Sequence, residues 1–152
     1  MAFFLGEFET TIDAKHRLAI GSIFRDQVVP EVDGESWVLV VGPDKHLRLY
    51  PNLVYQKMVA SRKPSVFPTP EERTLSLMLA MARPLKSDSQ GRVVLPEKSL
   101  ERAEISEKVT LVGMNERIEI WPTEAWERYV KESLPSYGQM LYEAGAKLHA
   151  GE

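Results

Sequence analysis

The chain has 152 residues, enough for one compact domain, and its net charge of −3, from 22 acidic residues against 19 Lys and Arg, gives no general basic bias. Attraction of a monomer to nucleic acid through bulk charge is therefore disfavoured, and any basic footprint must be local or assembled from several subunits. The absence of cysteine excludes disulfides and thiolate metal sites and fits a reducing compartment.

Taken in chain order, residues 6–12 have the threonines and aromatics of a strand. They feed Asp13-Ala14-Lys15-His16-Arg17, an Asp-x-x-x-Arg loop that runs into the short apolar strand Leu18-Ala19-Ile20. Residues 21–25 fit a single helical turn. Residues 37–42 and 46–50 read as a hairpin around Pro43-Asp44-Lys45, with Leu47 and Leu49 on one face. Asn52 is placed as the N-cap of a helix ending near residue 62. The linker that follows carries Pro64 and Pro68 and ends at Thr69-Pro70-Glu71-Glu72, a capping box with proline at the first helical position. Leu75, Met78, Leu79 and Ala82 share one face of that helix, and Pro84 stops it. So broad an apolar face fits core or a subunit contact better than a ligand groove.

The pattern then starts again. Asp88-Ser89-Gln90-Gly91-Arg92 repeats the first loop and runs into Val93-Val94-Leu95, and Pro96 opens a second short helix at its first position. Residues 109–113 and 117–121 repeat the hairpin around Met114-Asn115-Glu116, and Thr123 matches Asn52 as the N-cap of a helix ending near residue 133. The tail contains Pro135, Gly138 and Gly145 and supports only a weak helix. Two ordered matches imply one duplicated unit, and copies of about 50 to 60 residues, marginal alone, should share a core. The expected organisation is a first repeat over residues 5–62, a linker and connecting helix over 63–84, a second repeat over 85–133 and a C-terminal tail over 134–152.

The chemistry concentrates in the repeated loops. Arg17 and Arg92 can bridge to Asp13 and Asp88 and stiffen the loops, or offer a planar guanidinium fork to a phosphate or a guanine edge. Both readings hold together if the aspartates orient the arginines. His16, His46 and His149 lack metal-ligand spacing, and the chain has no glycine-rich phosphate loop and no nucleophile with a base. No catalytic residue, metal, cofactor or small-molecule substrate is therefore expected. Trp37, Trp121 and Trp126 are expected to pack in the core or an interface, and the acidic residues between 97 and 107 to be solvated. No apolar run is long enough to span a bilayer, and Met1-Ala2-Phe3-Phe4-Leu5 lacks the basic flank of a secretory signal, so a soluble cytoplasmic protein without membrane contact is expected.

Gly6-Glu7-Phe8, the two Asp-x-x-x-Arg loops, Phe24-Arg25, Pro96 and the stretch from Val112-Gly113 to Trp121 together resemble the MraZ family over residues 4–130. The resemblance implies an α+β fold with two AbrB-like swapped-hairpin repeats forming one pseudo-symmetric, β-barrel-like core with flanking helices. It also implies a bacterial transcription regulator at the nucleoid, a closed homo-oligomeric ring, and binding to double-stranded promoter repeats ahead of the division and cell-wall gene cluster. Lys15, Arg17 and Arg92 are the expected DNA contacts, with Gln90 supplementary and Asp13 and Asp88 behind them. Several weak loops on one ring would then act by avidity. His16 and Gly21 stand where the family usually has glycine and proline, and His16 is expected to carry a positive φ. Lys15 and Arg17 give the first loop more charge than the second, and which loop dominates stays open. The competing reading is a ring-forming protein scaffold with little DNA binding, which salt dependence of binding would distinguish.

Overall fold

The computed structural model describes residues 1–63 and 65–151, so Pro64 of the linker and Glu152 lie outside the described residues. The first copy contributes β1 (Glu7–Thr11), β2 (Arg17–Ala19), α1 (Ser22–Arg25), α2 (Pro30–Asp33), β3 (Trp37–Val41), β4 (Leu47–Pro51) and α3 (Asn52–Ala60). Helix α4 (Pro70–Met81) leads to the second copy: β5 (Arg83–Leu85), β6 (Arg92–Val94), α5 (Glu97–Arg102), β7 (Lys108–Met114), β8 (Arg117–Pro122) and α6 (Thr123–Ala150). The chain divides into two compact units, Met1–Pro122 and Thr123–Glu152.

In the first unit, six strands form one antiparallel sheet in the order β1-β7-β8-β4-β3-β5. Each copy's first strand pairs with the other copy's hairpin, β1 on β7 and β5 on β3. Exchanging the copies maps the strand order onto its own reverse, about the central pair β4–β8. The barrel-like closure expected from the resemblance is not formed by these pairings: the sheet is open, with β1 and β5 at opposite edges. Pro84 sits in the edge strand β5, where its missing N–H leaves no ladder bond unmade on a central strand. Gly113 is needed for close approach, since a β-carbon there would fall 2.4 Å from the backbone nitrogen of Leu5. Phe4 is bridged to Asn115 beside it.

Alternation sorts the strands' side chains onto two faces. Leu39, Leu47, Leu49, Leu111, Ile118 and Ile120 join Phe4, Leu18, Phe24, Val93 and Leu95 in a single buried cluster drawn from both copies. On the opposite face Val40, Tyr50 and Tyr55 form a smaller cluster, against which Met78 of α4 and its C-cap Ala82 pack. The capping box at Thr69 is present as expected, with the Thr69 hydroxyl accepting from Glu72 N and Glu72 accepting from Thr69 N. The rest of α4's apolar surface is less covered: Leu77 is 59% and Leu79 41% exposed.

Four local expectations change. Asn52 is the first helical residue rather than the N-cap; Pro51 holds that place, and Asn52 Oδ1 instead accepts from Ser36 N at 3.2 Å, tying α3 to the chain before β3. Pro96 is likewise the N-cap of α5, one residue before the helix. Helix α2 is an element that the sequence pattern does not announce; Asp33 Oδ2 accepts from Val29 N at 2.9 Å and closes that turn from its far end. The helix expected to be capped by Thr123 and to stop near residue 133 instead takes Thr123 as its first residue and continues as α6 through Ala150, with Pro135 inside it. Proline removes one donor from the ladder, but the helix-forming Leu134, Gln139, Met140 and Leu141 around it propagate the turn. Within this unit Trp126 stacks on Tyr129, and Gln139 Nε2 donates to Glu143 one turn later at 3.1 Å. Among the described residues no helix is long and apolar enough to cross a membrane.

Candidate functional site

The two Asp-x-x-x-Arg loops adopt the same geometry. In the first, Asp13 N donates to Arg17 O at 3.1 Å and His16 N to Asp13 O at 3.0 Å; in the second, Asp88 N donates to Arg92 O at 2.8 Å and Gly91 N to Asp88 O at 3.0 Å. Each aspartate also organises the loop with its side chain. Asp13 Oδ1 accepts from the backbone of Lys15 and Arg17, both at 2.9 Å, while Oδ2 accepts from Arg17 Nε at 2.7 Å. Asp88 does the same with Gln90 N at 2.8 Å, Arg92 N at 3.0 Å and Arg92 Nε at 2.8 Å. The backbone N–H of the motif arginine is the main cause that holds each carboxylate below its ordinary range, reinforced by the guanidinium.

Closing the loop requires a left-handed residue before the arginine. Gly91 has φ of 75°, which glycine adopts freely, and His16 has φ of 60°, as expected from its place in the repeat.

The position of the arginines relative to each other could not be read from either copy alone. β2 and β6 pair with each other as a two-stranded ribbon, with Arg17 opposite Val94, Leu18 opposite Val93 and Ala19 opposite Arg92. Bonds from Ile20 N to Gly91 O and from Leu95 N to His16 O extend it. Leu18 and Val93 are fully buried, so Arg17, Ala19, Arg92 and Val94 form the ribbon's outer face. Arg17 and Arg92 stand diagonally on that face, with Cα atoms about 7 to 8 Å apart. Each guanidinium uses Nε on its aspartate, and among the described residues its terminal amino groups have no protein partner. Such a pair of oriented forks suits a planar, anionic or hydrogen-bond-accepting ligand. Lys15 and Gln90 are exposed at equivalent loop positions and engage their aspartates only through backbone N–H.

Arg25 lies across the second loop. Its Nε donates to Ile20 O at 2.7 Å, and a β-carbon on Gly91 would come within 2.6 Å of that nitrogen.

A second polar cluster lies at the sheet centre. Glu119 is buried, with Oε1 accepting from Trp121 Nε1 at 2.9 Å and lying 3.3 Å from His46 Nε2, while Oε2 accepts from Arg117 Nε at 2.7 Å and lies 3.3 Å from Arg48 Nε. Burial pushes this carboxyl up, but hydrogen bonds from His46, Trp121 and Arg117 outweigh it and bring its pKa to about 2. His46 stacks on Trp121 with ring centroids 4.6 Å apart. The carboxylate itself is buried, while Arg48 and Arg117 reach partly into solvent and His46 Nδ1 has no partner among the described residues, and the chemistry of the cluster is that of a structural ion network. Among the described residues no group of three or more His, Cys, Asp or Glu could hold a metal ion.

A family model described as "MraZ protein, putative antitoxin-like" matches residues 3–77 and again 78–139. The chain is 40% identical over 125 residues to the "Transcriptional regulator MraZ" of Herpetosiphon aurantiacus, covering 82% of this chain and 84% of the relative. It is 31% identical over 138 residues to the protein of the same name from Carboxydothermus hydrogenoformans, covering 90% and 93% of the two chains. With the Roseiflexus sp. protein, also so named, identity is 35% over 127 residues, covering 82% and 84%.

Proposed function

The chain belongs to the MraZ family, and from that premise we propose that it is a transcription regulator whose twin Asp-x-x-x-Arg loops bind double-stranded promoter DNA. The observation that carries this is the placement of Arg17 and Arg92 on one outer face, each oriented by its own aspartate and each with terminal amino groups unspent. Lys15 and Gln90 add a charge and a polar group at the same loop tips. Holding the guanidinium before the ligand arrives lowers the entropy lost on docking.

The cross-copy pairing of β1 with β7 and β5 with β3 supports the reading of the two copies as AbrB-like swapped-hairpin repeats. The exposed Leu77 and Leu79 on α4 support a homo-oligomer, which the resemblance makes a closed ring. Several loops on one assembly engaging adjacent repeats reconcile DNA binding with a net charge of −3. The target proposed by resemblance is the set of promoter repeats ahead of the division and cell-wall gene cluster, with the protein in the cytoplasm at the nucleoid.

The test is titration of the full chain against the region upstream of its own gene, with the same DNA scrambled as control, across a range of salt. Preferential binding that weakens steeply with salt is expected. Arg17→Ala and Arg92→Ala should each weaken it by roughly 1 to 3 kcal/mol with relaxed specificity if they read bases, or uniformly across sequences if they contact only phosphates. Unchanged binding by the double variant would overturn the assignment. Absence of duplex binding at low salt would favour a protein scaffold in which the Asp–Arg bridges are purely structural.

A further inference from the structure

We propose that Arg25 is a second phosphate-contacting residue at the second loop, gripping the duplex backbone there together with Arg92. The two loops of one chain are then unequal, and the second carries the stronger backbone contact. This rests on the DNA-binding reading above and extends it to a residue outside the Asp-x-x-x-Arg motif.

The argument begins with Gly91. A β-carbon at this position would fall 2.6 Å from Nε and 2.7 Å from both Cδ and Cζ of Arg25, so the arginine side chain lies directly over the loop backbone. It is tethered there: Arg25 Nε donates to Ile20 O at 2.7 Å, and Ile20 N in turn donates to Gly91 O at 3.0 Å. Arg25 is nevertheless exposed, and among the described residues no carboxylate pairs with it. Arg92 is the next residue after Gly91 and also has unspent terminal amino groups. Asp88 already offsets the charge of Arg92, so Arg25 brings to the loop one positive charge that no carboxylate among the described residues offsets, and an external anion reaching both arginines would offset it. A phosphodiester supplies that charge and accepts from both forks.

The first loop is built differently at the same places. Its counterpart of Gly91 is His16, and its counterpart of Arg25 is Leu100, which is buried. In place of a tethered arginine, the concavity beside this loop is lined by His16 with Glu97, Glu101, Glu104 and Glu107. Glu104 is paired with Lys45 at 2.8 Å. Lys98 and Arg102 of α5 are not among the lining residues. Counting loop residues favours the first loop through Lys15 and Arg17, but the surroundings reverse that order. The second loop gains a cation, and the first gains an acidic edge that repels phosphate within a Debye length.

Arginine-specific footprinting with phenylglyoxal on the wild-type full chain, read by mass spectrometry, tests this without any substitution. With a duplex carrying the region upstream of the chain's own gene, Arg25 and Arg92 should lose reactivity together, while Arg62 and Arg73 keep it. Protection of Arg92 with Arg25 unchanged would overturn the proposal and leave the loop reading intact. No protection at Arg17, Arg25 or Arg92 would overturn both. Equal protection of Arg25 by inorganic phosphate at the same phosphate concentration would assign the seat to a free anion and overturn the backbone contact. In salt titrations Arg25→Gln should lower the dependence by about one phosphate, and Arg25→Lys should restore it. A wild-type salt slope in Arg25→Gln would make Arg25 only a tether for Ile20.

Discussion

Glu119 of β8 lies opposite Arg48 of β4 in the central strand pair, and its buried carboxylate collects Arg117, Trp121, His46 and Arg48 around two oxygens. This pair sits on the pseudo-symmetry axis and joins the two copies there, flanked by the core pairs Leu47–Ile120 and Leu49–Ile118. Replacing Glu119 by Gln leaves Arg48 and Arg117 facing a neutral amide, but both reach partly into solvent and Arg117 keeps Glu116 at 2.6 Å, so the change should cost about 1 to 3 kcal/mol. Chemical denaturation at neutral pH checks this. Stability equal to wild type would show that the network contributes nothing net.

The same carboxylate sets an acid limit. Its folded pKa of about 2 lies below the ordinary 4.5, so its contribution is fully present above about 4.5 and is lost as pH falls towards about 2. Thermal melts of the wild type should decline through that window more steeply than those of Glu119→Gln. Parallel decline in both proteins would place the acid sensitivity elsewhere.

Asp13 and Asp88 give a prediction in which two effects have opposite signs. Asp13→Asn with Asp88→Asn removes two negative charges beside the proposed DNA contacts, which by electrostatics alone would strengthen binding. It also weakens the hold on Arg17 and Arg92, which the proposed orientation makes the larger effect, so affinity should fall at constant salt. Both aspartates have pKa values below the ordinary 3.8, so the loop bridges persist at that pH and are lost only as pH falls through the lower folded values. Tighter binding by the double variant would show that the aspartates do not position the arginines.

Much of this architecture was legible because it was written twice. The paired loops, the hairpins and the capping box at Thr69 each rest on local residue chemistry, and the positive φ of His16 followed from matching it to Gly91. What escaped was non-local. Nothing in Leu18-Ala19-Ile20 or Val93-Val94-Leu95 says that the two segments pair with each other, and that pairing is what puts Arg17 and Arg92 on one face. β5 is three residues with a central proline, too short for alternation to show, and it exists because β3 offers it an edge. The seat of Arg25 over Gly91 joins residues far apart in sequence, and only the glycine hinted that something lay close to the backbone.

On α4, Leu77 and Leu79 are largely exposed and contribute little to the core, so a charge at either should be tolerated by the fold. Leu77→Glu with Leu79→Glu should lower the oligomeric state measured by static light scattering and leave the thermal midpoint of the dissociated chain nearly intact. An oligomer of wild-type mass in this variant would remove α4 from the subunit interface.

His16 and Gly91 form a reciprocal pair of tests. His16 carries φ of 60°, so His16→Gly should relieve strain and stabilise the chain by up to about 1 kcal/mol, after subtracting the entropy that glycine adds to the unfolded state. Gly91→Ala should do the reverse by a larger amount. Its φ of 75° strains any side chain, and the new β-carbon would also displace Arg25. The alanine variant should therefore lose both stability and DNA affinity, whereas the His16 variant should keep its affinity unless the imidazole itself meets the backbone. Melting curves and binding isotherms on the two variants separate these outcomes. Equal melting temperatures for all three proteins would show that the left-handed turn stores no strain and that Gly91 yields at no cost.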